Sequence, residues 1–242
     1  MRLLEGTGIK KLFGGVIALN NVSFYTDAGE IVGLIGPNGA GKTTLFNIIS
    51  GFYPPNSGIV KFKGEKITRL KPHQIANKGI ARTFQITRSF GMMTVLENVM
   101  VGSLFGTGRQ RSLKAAEQEA MRIIAFTNLI EKANLPVESL TSSDARRLEL
   151  ARALAAKPEI LLLDEVMAGL MPAEVSEAME LLKKIRDDMG ISIFMVEHIM
   201  KSVMGISDRV IVLANGEQIA EGIPKKVSEN PAVIEAYLGE EA

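Results

Sequence analysis

Residues 36–43 carry a pattern that can bind phosphate groups. Glycines at 36 and 41 are followed by Lys42 and Thr43, which fits the spacing G-x-x-x-x-G-K-[ST]. Glycine lets backbone N–H groups turn towards phosphate oxygens with no Cβ in the way. A lysine placed here reaches the β- and γ-phosphate oxygens, and the threonine hydroxyl ligates Mg²⁺. The predicted phosphate-binding residues are Gly36, Pro37, Asn38, Gly39, Ala40, Gly41, Lys42, Thr43 and Thr44.

Two carboxylates follow a second apolar run. Residues 160–163 are Ile-Leu-Leu-Leu, and Asp164 and Glu165 come directly after them. Four apolar residues predict a buried parallel strand, and ligands of open α/β sheets bind at the edge where such strands end. We expect Asp164 to hold Mg²⁺, directly or through water, and Glu165 to act as general base on the attacking water. Without the glycine-rich loop, a buried strand that ends in an ordinary acidic turn would be the favoured explanation of these residues.

A histidine ends a third apolar run. Residues 191–196 predict a strand, and Glu197 and His198 follow it. On the same sheet edge His198 could contact the γ-phosphate or the attacking water. From spacing alone, a surface histidine is an equal explanation. His73, beside Pro72 on a charged segment, is expected at the surface.

These residues need an α/β scaffold to bring them together. Residues 9–13 and 16–25 predict strands, and the loop at 36–41 lies between a predicted strand at 31–35 and a helix from Lys42. Between residues 86 and 156 the pattern becomes helical, with helices from Thr94, over 112–132 and over 145–156. From Glu159 strands and helices alternate again, at 160–163, 173–189, 191–196, 208–213 and 218–220, and a short helix covers 232–238. We therefore expect one domain, in which residues 1–85 and 157–242 form the α/β core and 86–156 an inserted helical lobe.

Composition excludes several kinds of site. The chain has 242 residues and no cysteine, so disulfides, thiol catalysis and Cys-based zinc sites are ruled out. Only two histidines are present, which rules out a His-rich metal centre. A formal net charge of +1 argues against a dedicated nucleic-acid partner. No apolar run reaches the ~18 residues of a membrane span, and no signal peptide is visible, so we expect an intracellular protein.

The order of these motifs resembles that of the ATP-binding cassette ATPases over essentially the whole chain from Ile9. Finer features, including 82–85, 93–99, 146–153, 203–209 and 237–240, are similar to the LivG-type ATPase of branched-chain amino acid importers. The resemblance implies a P-loop NTPase (RecA-like) α/β core with an N-terminal antiparallel β subdomain. It also implies ATP and Mg²⁺ as cofactors. Close relatives of that branch import urea, short amides or other amino acids, so the transported solute is inferred less firmly than the role as an importer ATPase.

The resemblance also assigns roles and partners. Phe13 resembles the aromatic residue that stacks on adenine, although a core aromatic beside Gly14 is an alternative. Gln85 resembles the glutamine that touches Mg²⁺ or water and reports to the membrane subunit, and His198 resembles the switch histidine. The implied partners are a second cassette (LivF-like or a second copy), two transmembrane permease subunits and, indirectly, a solute-binding protein. The chain would then be peripheral on the inner face of the cell membrane.

The sequence departs from this family in the signature segment, which in the family contacts the nucleotide bound to the partner subunit. The family reads roughly Leu-Ser-Gly-Gly-Gln, whereas residues 140–144 read Leu-Thr-Ser-Ser-Asp. Thr141, Ser142 and Ser143 remain candidates for contacting ATP of the other subunit. An Asp144 carboxylate ~6–8 Å from a triphosphate would cost roughly 2–3 kcal/mol per unit charge at an effective dielectric of ~20. Three further positions depart from the family. Val166 stands where the family has proline, Met171 where asparagine or aspartate is usual, and Ile199 where aspartate is usual.

These departures suggest a functional asymmetry. In a heterodimer, this P-loop would pair with the partner's intact signature, while residues 140–144 would weaken the other site; tolerated substitutions in an ordinary transporter are the alternative. Two other functions stay open. One is a nucleotide-sensing cassette with weak or no hydrolysis, and the other is the ATPase of a lipid or lipopolysaccharide exporter.

Overall fold

Two β-sheets and nine helices organise the part of the chain that the structure, a computed structural model, describes: residues 1–84, 89–108 and 112–238. The first sheet is antiparallel and has the order β2-β1-β4-β5. Its strands are β1 (Arg2–Phe13), β2 (Val16–Asp27), β4 (Ser57–Phe62) and β5 (Glu65–Lys66). The expected N-terminal antiparallel β subdomain is therefore present.

The second sheet has the order β10-β9-β3-β8-β7-β6. It is parallel from β9 to β6, and only β10 runs antiparallel, to β9. Its strands are β3 (Ile31–Ile35), β6 (Ile80–Arg82), β7 (Ile160–Asp164), β8 (Ser192–Val196), β9 (Arg209–Ala214) and β10 (Glu217–Gly222). Because parallel strands end at the same edge, this order places the residues after β3, β7 and β8 side by side.

The central strands β3, β7 and β8 are buried throughout and mostly apolar, because both faces of the sheet are covered. In β7, Leu161 and Leu163 pack into one hydrophobic cluster, whereas Ile160 and Leu162 pack into the other. This alternation follows from the two-residue period of a strand. The second cluster also contains residues of the first sheet and of the helix after β3. The two clusters fix β3, β7 and β8 from both sides and so hold their ends in place.

Helices cover the sheet and form a lobe. The helix after the glycine-rich loop is α1 (Lys42–Ile49), and α2 (Pro72–Ala76) precedes β6. The lobe consists of α3 (Val95–Phe105), α4 (Leu113–Phe126) and α5 (Ser142–Ala155), which pack on one another. The remaining helices are α6 (Pro172–Met189), α7 (Met200–Ile206), α8 (Pro224–Ser228) and α9 (Pro231–Leu238). This is the α/β core with an inserted helical lobe that the residue pattern predicted.

Several element limits differ from the sequence-based prediction. β1 begins seven residues before Ile9, since Arg2 already pairs with Asp27 of β2. The helix predicted over 112–132 ends at Phe126, because Asn128 adopts a left-handed conformation (φ 59°). α5 begins at residue 142, where Thr141 caps it by accepting a hydrogen bond from the Asp144 N–H. β4, β5, β6, α2, α7 and α8 were not predicted.

Two local predictions are confirmed. Thr94 caps α3, and the Glu97 carboxylate accepts the Thr94 N–H in a capping box. Asn215 and Gly216 join β9 to β10 with positive φ angles of 50° and 78°, as a two-residue hairpin turn requires. Within the described ranges, no helix combines the length and the apolar character needed to cross a membrane.

Candidate nucleotide-binding site

The glycine-rich loop is shaped by close contacts with two neighbouring strands. A Cβ on Gly36 would lie 2.0 Å from the Leu213 carbonyl oxygen, and one on Gly41 would lie 2.5 Å from that of Ala18. Both glycines have positive φ angles, of 149° and 101°. A side chain at either position would collide with backbone, so these two glycines are needed for the loop to fit against β2 and β9.

α1 begins directly after this loop, so the first N–H groups of the helix lie at the end of the loop. The first N–H groups of a helix have no intrahelical partner, and a helix N-terminus attracts anions. The capping residue is Gly41, which has no side chain to accept them. Thr43 lies exposed in the first turn. The arrangement fits a bound phosphate group.

Lys42 is buried and folds back over the loop. Its Nζ donates hydrogen bonds to the Gly36 carbonyl oxygen at 2.6 Å and to that of Pro37 at 2.8 Å. The ammonium group is therefore held at the inner wall of the loop. A phosphate entering the loop would meet a cation that is already in place.

The strand ends bring three predicted residues together, as the parallel order requires. Asp164 pairs with Val196 across β7 and β8, so Glu165 and His198 follow at the same edge. The His198 Nε2 lies 2.6 Å from a Glu165 carboxylate oxygen. Both side chains line one cleft with Ala18 and with the loop and helix residues Asn38, Gly39, Ala40, Gly41, Lys42, Thr43 and Thr44.

Glu165 has an uncommon backbone conformation. Its φ is 54°, a region that non-glycine residues adopt at a cost of about 1–3 kcal/mol. Its N–H still donates to the Val196 carbonyl oxygen at 2.9 Å, which ties the bend to β8. The bend follows directly after β7 and directs the carboxylate to His198. The sequence pattern gave no sign of this conformation.

Asp164 is buried, is not among the described residues that line the cleft, and is held by groups that sequence reasoning did not assign. One carboxylate oxygen accepts a 2.8 Å hydrogen bond from the Arg82 guanidinium, and the side chains are 4% and 7% exposed. The Asp164 N–H donates to the Thr83 hydroxyl at 3.3 Å. The position of Arg82, three residues before Gln85, was visible in the sequence, but nothing there showed its partner.

Glu197 is a second residue that the sequence analysis left without a role. It is buried, and one carboxylate oxygen accepts the Met167 N–H at 2.8 Å, while the other has no hydrogen-bond partner in the part of the chain that the structure describes. Burial, with a further contribution from the charge of Glu165, raises the pKa of Glu197 to about 7. The carboxyl thus links the loop after Glu165 to the strand that carries His198.

Phe13 lies apart from the cleft-lining residues, at the tip of the β1–β2 hairpin. It is 43% exposed, so its ring is accessible. It makes an edge contact with Tyr53, with ring centroids 5.4 Å apart, and the Lys11 ammonium lies 4.9 Å from its ring centroid. The alternative of a core aromatic does not fit this exposure. Gln85, the other residue assigned by resemblance in this region, lies outside the described residues.

Thr141, Ser142 and Ser143 lie at the start of α5 and are not among the described residues that line the cleft. Asp144, the next residue, is buried and turned away from solvent. Its carboxylate accepts hydrogen bonds from the Lys132 ammonium at 2.5 Å and from the Thr141 hydroxyl at 2.7 Å. Burial raises the pKa of Asp144, but these hydrogen bonds outweigh it and hold the pKa below its usual value. The expected repulsion of a triphosphate assumed an unpaired carboxylate, whereas this charge is paired.

The oxygen donors present are suited to Mg²⁺. Hydroxyl and carboxylate oxygens, here of Thr43 and Asp164, are ligands of hard cations, and Mg²⁺ is usually held by one or two protein groups plus phosphates and water. Among the described residues no group of three or more His, Asp or Glu side chains could hold a metal ion by itself. A magnesium ion at this edge would therefore depend on nucleotide phosphates for further ligands.

A glycine-rich loop, a buried lysine and two consecutive acidic residues at the end of β7 define a P-loop nucleotide-binding protein. The family model described as ABC transporter matches residues 19–168, and that described as branched-chain amino acid ATP-binding cassette transporter matches residues 217–242. The chain belongs to the ATP-binding cassette proteins of ABC transporters.

Curated relatives and solved structures agree with this membership. The chain is 41% identical to the high-affinity branched-chain amino acid transport ATP-binding protein BraF of Pseudomonas aeruginosa, and 44% identical to LivG of Escherichia coli strain K12. Each alignment covers 98% of both chains. The ADP conformation of a cassette of an ABC transporter superposes with a TM-score of 0.90 at 31% identity, covering 99% of both chains. A dimeric cassette bound to ADP and Pi has a TM-score of 0.83 at 27% identity and covers 92% of this chain and 99% of its own.

Proposed function

We propose that this chain is the ATP-hydrolysing subunit of an importer for branched-chain amino acids. The observation that carries the proposal is the single cleft formed by the P-loop, Glu165 and His198. The nearly full-length relatives BraF and LivG, which are named for high-affinity transport of branched-chain amino acids, support this solute class. They favour an amino acid importer over a lipid exporter.

The cleft supports a division of roles for ATP hydrolysis. Lys42 leaves the two loop carbonyls to which it donates and binds the terminal phosphates, while the α1 N-terminus and the loop N–H groups hold the phosphate chain. Phe13 stacks on the adenine. Thr43 and Asp164, with Gln85 as a further proposed ligand, would hold Mg²⁺, which would supply neutralisation of the phosphate charge. Glu165 accepts a proton from the attacking water, and His198 holds the Glu165 carboxylate towards it.

The complete transporter needs further subunits. A second cassette, either LivF-like or another copy, would supply the signature segment facing this P-loop, and residues 141–143 would face the partner's nucleotide. A dimeric cassette among the similar structures supports such pairing. Two permease subunits would contact the helical lobe, residues 86–156, at the inner face of the membrane, and a solute-binding protein would deliver the amino acid.

Uptake of labelled solutes tests the assignment. Cells that lack this chain should regain leucine, isoleucine and valine uptake when it is restored, and should not regain it with Lys42→Ala. Urea, short amides and unrelated amino acids serve as competing solutes. Restored uptake of one of these instead, with none of the branched-chain amino acids, would overturn the solute class and leave the transport role.

Steady-state ATPase of the assembled transporter tests hydrolysis. Glu165→Gln should keep nucleotide binding and lower kcat by about 10²–10⁴-fold, because the general base is lost. His198→Ala should also lower kcat, and His73→Ala, which changes the exposed second histidine, should leave it unchanged. An equal rate in wild type and Glu165→Gln would favour the nucleotide-sensing alternative that the altered signature keeps open.

A further inference from the structure

Among the described residues, Arg82 forms the least exposed ion pair, with Asp164, and the proposed roles do not use it. It is the last residue of β6. One terminal nitrogen donates to Asp164, and the other donates to the Asn47 amide oxygen at 2.7 Å and to the Ser50 hydroxyl at 2.8 Å. The guanidinium thereby joins the end of β7 to α1, the helix that begins with Lys42.

Aromatic rings surround this guanidinium. Its central carbon lies 5.7 Å from the ring centroid of Phe46, 5.8 Å from that of Phe52 and 5.2 Å from that of Phe84. Such contacts favour the planar guanidinium and restrict where its fork can point. The orientation of the Asp164 carboxylate is restricted in turn.

The neighbouring residue holds the main chain of Asp164. Thr83 is buried, its hydroxyl accepts the Asp164 N–H, and its own N–H donates to the Leu162 carbonyl oxygen at 3.0 Å. Two consecutive residues at the end of β6 therefore fix Asp164, one through its carboxylate and one through its backbone. Within residues 1–84, 89–108 and 112–238, the hydrogen bond from Arg82 uses one carboxylate oxygen of Asp164, which leaves the other for a metal or its water shell.

We propose that Arg82 is a positioning residue that sets the Asp164 carboxylate for Mg²⁺. The inference rests on the proposed function, in which Asp164 holds the metal. The alternative of a purely stabilising ion pair is weaker, because replacing a buried pair by apolar groups is often neutral for stability. Groups that orient metal ligands, by contrast, typically change metal affinity or activity about 10–100-fold when mutated.

Arg82→Lys and Arg82→Met separate geometry from charge. Lysine keeps the positive charge, but one ammonium cannot reproduce the fork that joins Asp164 to α1. We expect both variants to raise the Mg²⁺ concentration that half-maximally tightens ATP binding by about 10-fold or more. Their affinity for ATP in EDTA should stay within about twofold of wild type, since the P-loop contacts are unchanged. A fluorescent ATP analogue gives both quantities.

Arg209 provides the matched control. It is also buried in ion pairs, with Glu30 and Glu221, and its guanidinium lies 3.8 Å from the Tyr25 ring centroid, at the start of β9. Arg209→Lys and Arg209→Met should lower thermal stability without changing the Mg²⁺ concentration that half-maximally tightens ATP binding.

Three results would overturn the inference. The first is that the Mg²⁺ concentration that half-maximally tightens ATP binding is unchanged in both Arg82 variants. The second is that Arg82→Lys has the wild-type value and only Arg82→Met differs. The third is a lower value in Arg82→Met, which would show that Arg82 only opposes the metal by charge. ATP binding by wild type that does not respond to Mg²⁺ at all would instead count against the proposed function.

Discussion

The site contains a carboxyl group whose protonation is coupled to folding, Glu197. Its neighbours include Glu165, whose charge disfavours ionisation, and Arg146, which favours it. A raised pKa means that the folded chain binds this proton more tightly than the unfolded chain. This contribution therefore destabilises the fold as the pH rises from about 4.5 to about 7, by roughly 3 kcal/mol in total.

Glu197→Gln should remove that pH dependence. The amide keeps an acceptor for the Met167 N–H and carries no charge. We expect the variant to be more stable than wild type by about 1–3 kcal/mol at pH 8 and nearly equal at pH 4, measured by urea unfolding. Glu117→Gln, at an exposed position in α4, should match wild type at both pH values. Equal pH profiles for wild type and Glu197→Gln would contradict the shift.

The altered signature segment makes its own internal contacts at the start of α5. The Lys132 side chain is 39% exposed, whereas that of Asp144 is 11% exposed, so removing the lysine leaves a carboxylate that water reaches poorly. Lys132→Met should lower the free energy of unfolding by about 1.5–2 kcal/mol, the lower part of the range for a hydrogen bond to a charged group, because the lysine is partly exposed. Lys114→Met on the exposed face of α4 is the control, and chemical denaturation measures both. Equal losses in the two variants would show that the pair contributes nothing.

The lobe depends on one close approach between helices. A Cβ on Gly102 of α3 would lie 2.3 Å from the Arg152 carbonyl oxygen and 3.1 Å from the Ala155 Cβ, both of α5. Gly102→Ala should therefore destabilise the protein by about 1–3 kcal/mol, although alanine is the better helix former.

Gly205→Ala in α7 is the matched control for this prediction. Its Cβ would meet only the terminal methyl group of Met179, at 2.7 Å, and that flexible side chain can move aside. We expect this variant to be neutral or more stable by up to about 1 kcal/mol in thermal unfolding. A destabilisation equal to that of Gly102→Ala would show that the backbone contact is not the cause.

Elements with a strong local pattern were predictable from the sequence. The apolar runs of β3, β7 and β8, the capping box at Thr94 and the turn at Asn215 are each encoded by neighbouring residues. The three-residue strand β6 is not, because its strand state depends on pairing with β7, which is distant in sequence. The early start of β1 likewise depends on partners in β2 and β4.

Some residues of the candidate site could likewise be predicted from the sequence, and others could not. The loop, Asp164, Glu165 and His198 could be placed at one edge because the ends of parallel strands coincide. The roles of Arg82 and Thr83 could not, since their contact with Asp164 joins residues about eighty positions apart. The positive φ of Glu165 and the pairing of Asp144 with Lys132 are also three-dimensional properties without a local sequence signal.

At the scale of the assembled transporter, the altered signature predicts unequal sites. The residues proposed for binding and hydrolysis within this chain are present, whereas those at 140–144 would serve the partner's nucleotide. In a heterodimer we expect one site to hydrolyse ATP, so a single-turnover assay should release about one phosphate per dimer in the fast phase. Two equally fast sites would contradict this asymmetry. Ser143→Gly with Asp144→Gln should then accelerate the slow site.

The contacts of Gly36 and Gly41 with the carbonyl groups of Leu213 and Ala18 have a thermodynamic consequence. Both strands brace the loop before any nucleotide arrives, so little chain entropy remains to be lost on binding. ATP association should show a small conformational penalty and a rate close to that of a rigid receptor. Release of the nucleotide would then not require the loop that holds the phosphates to unfold.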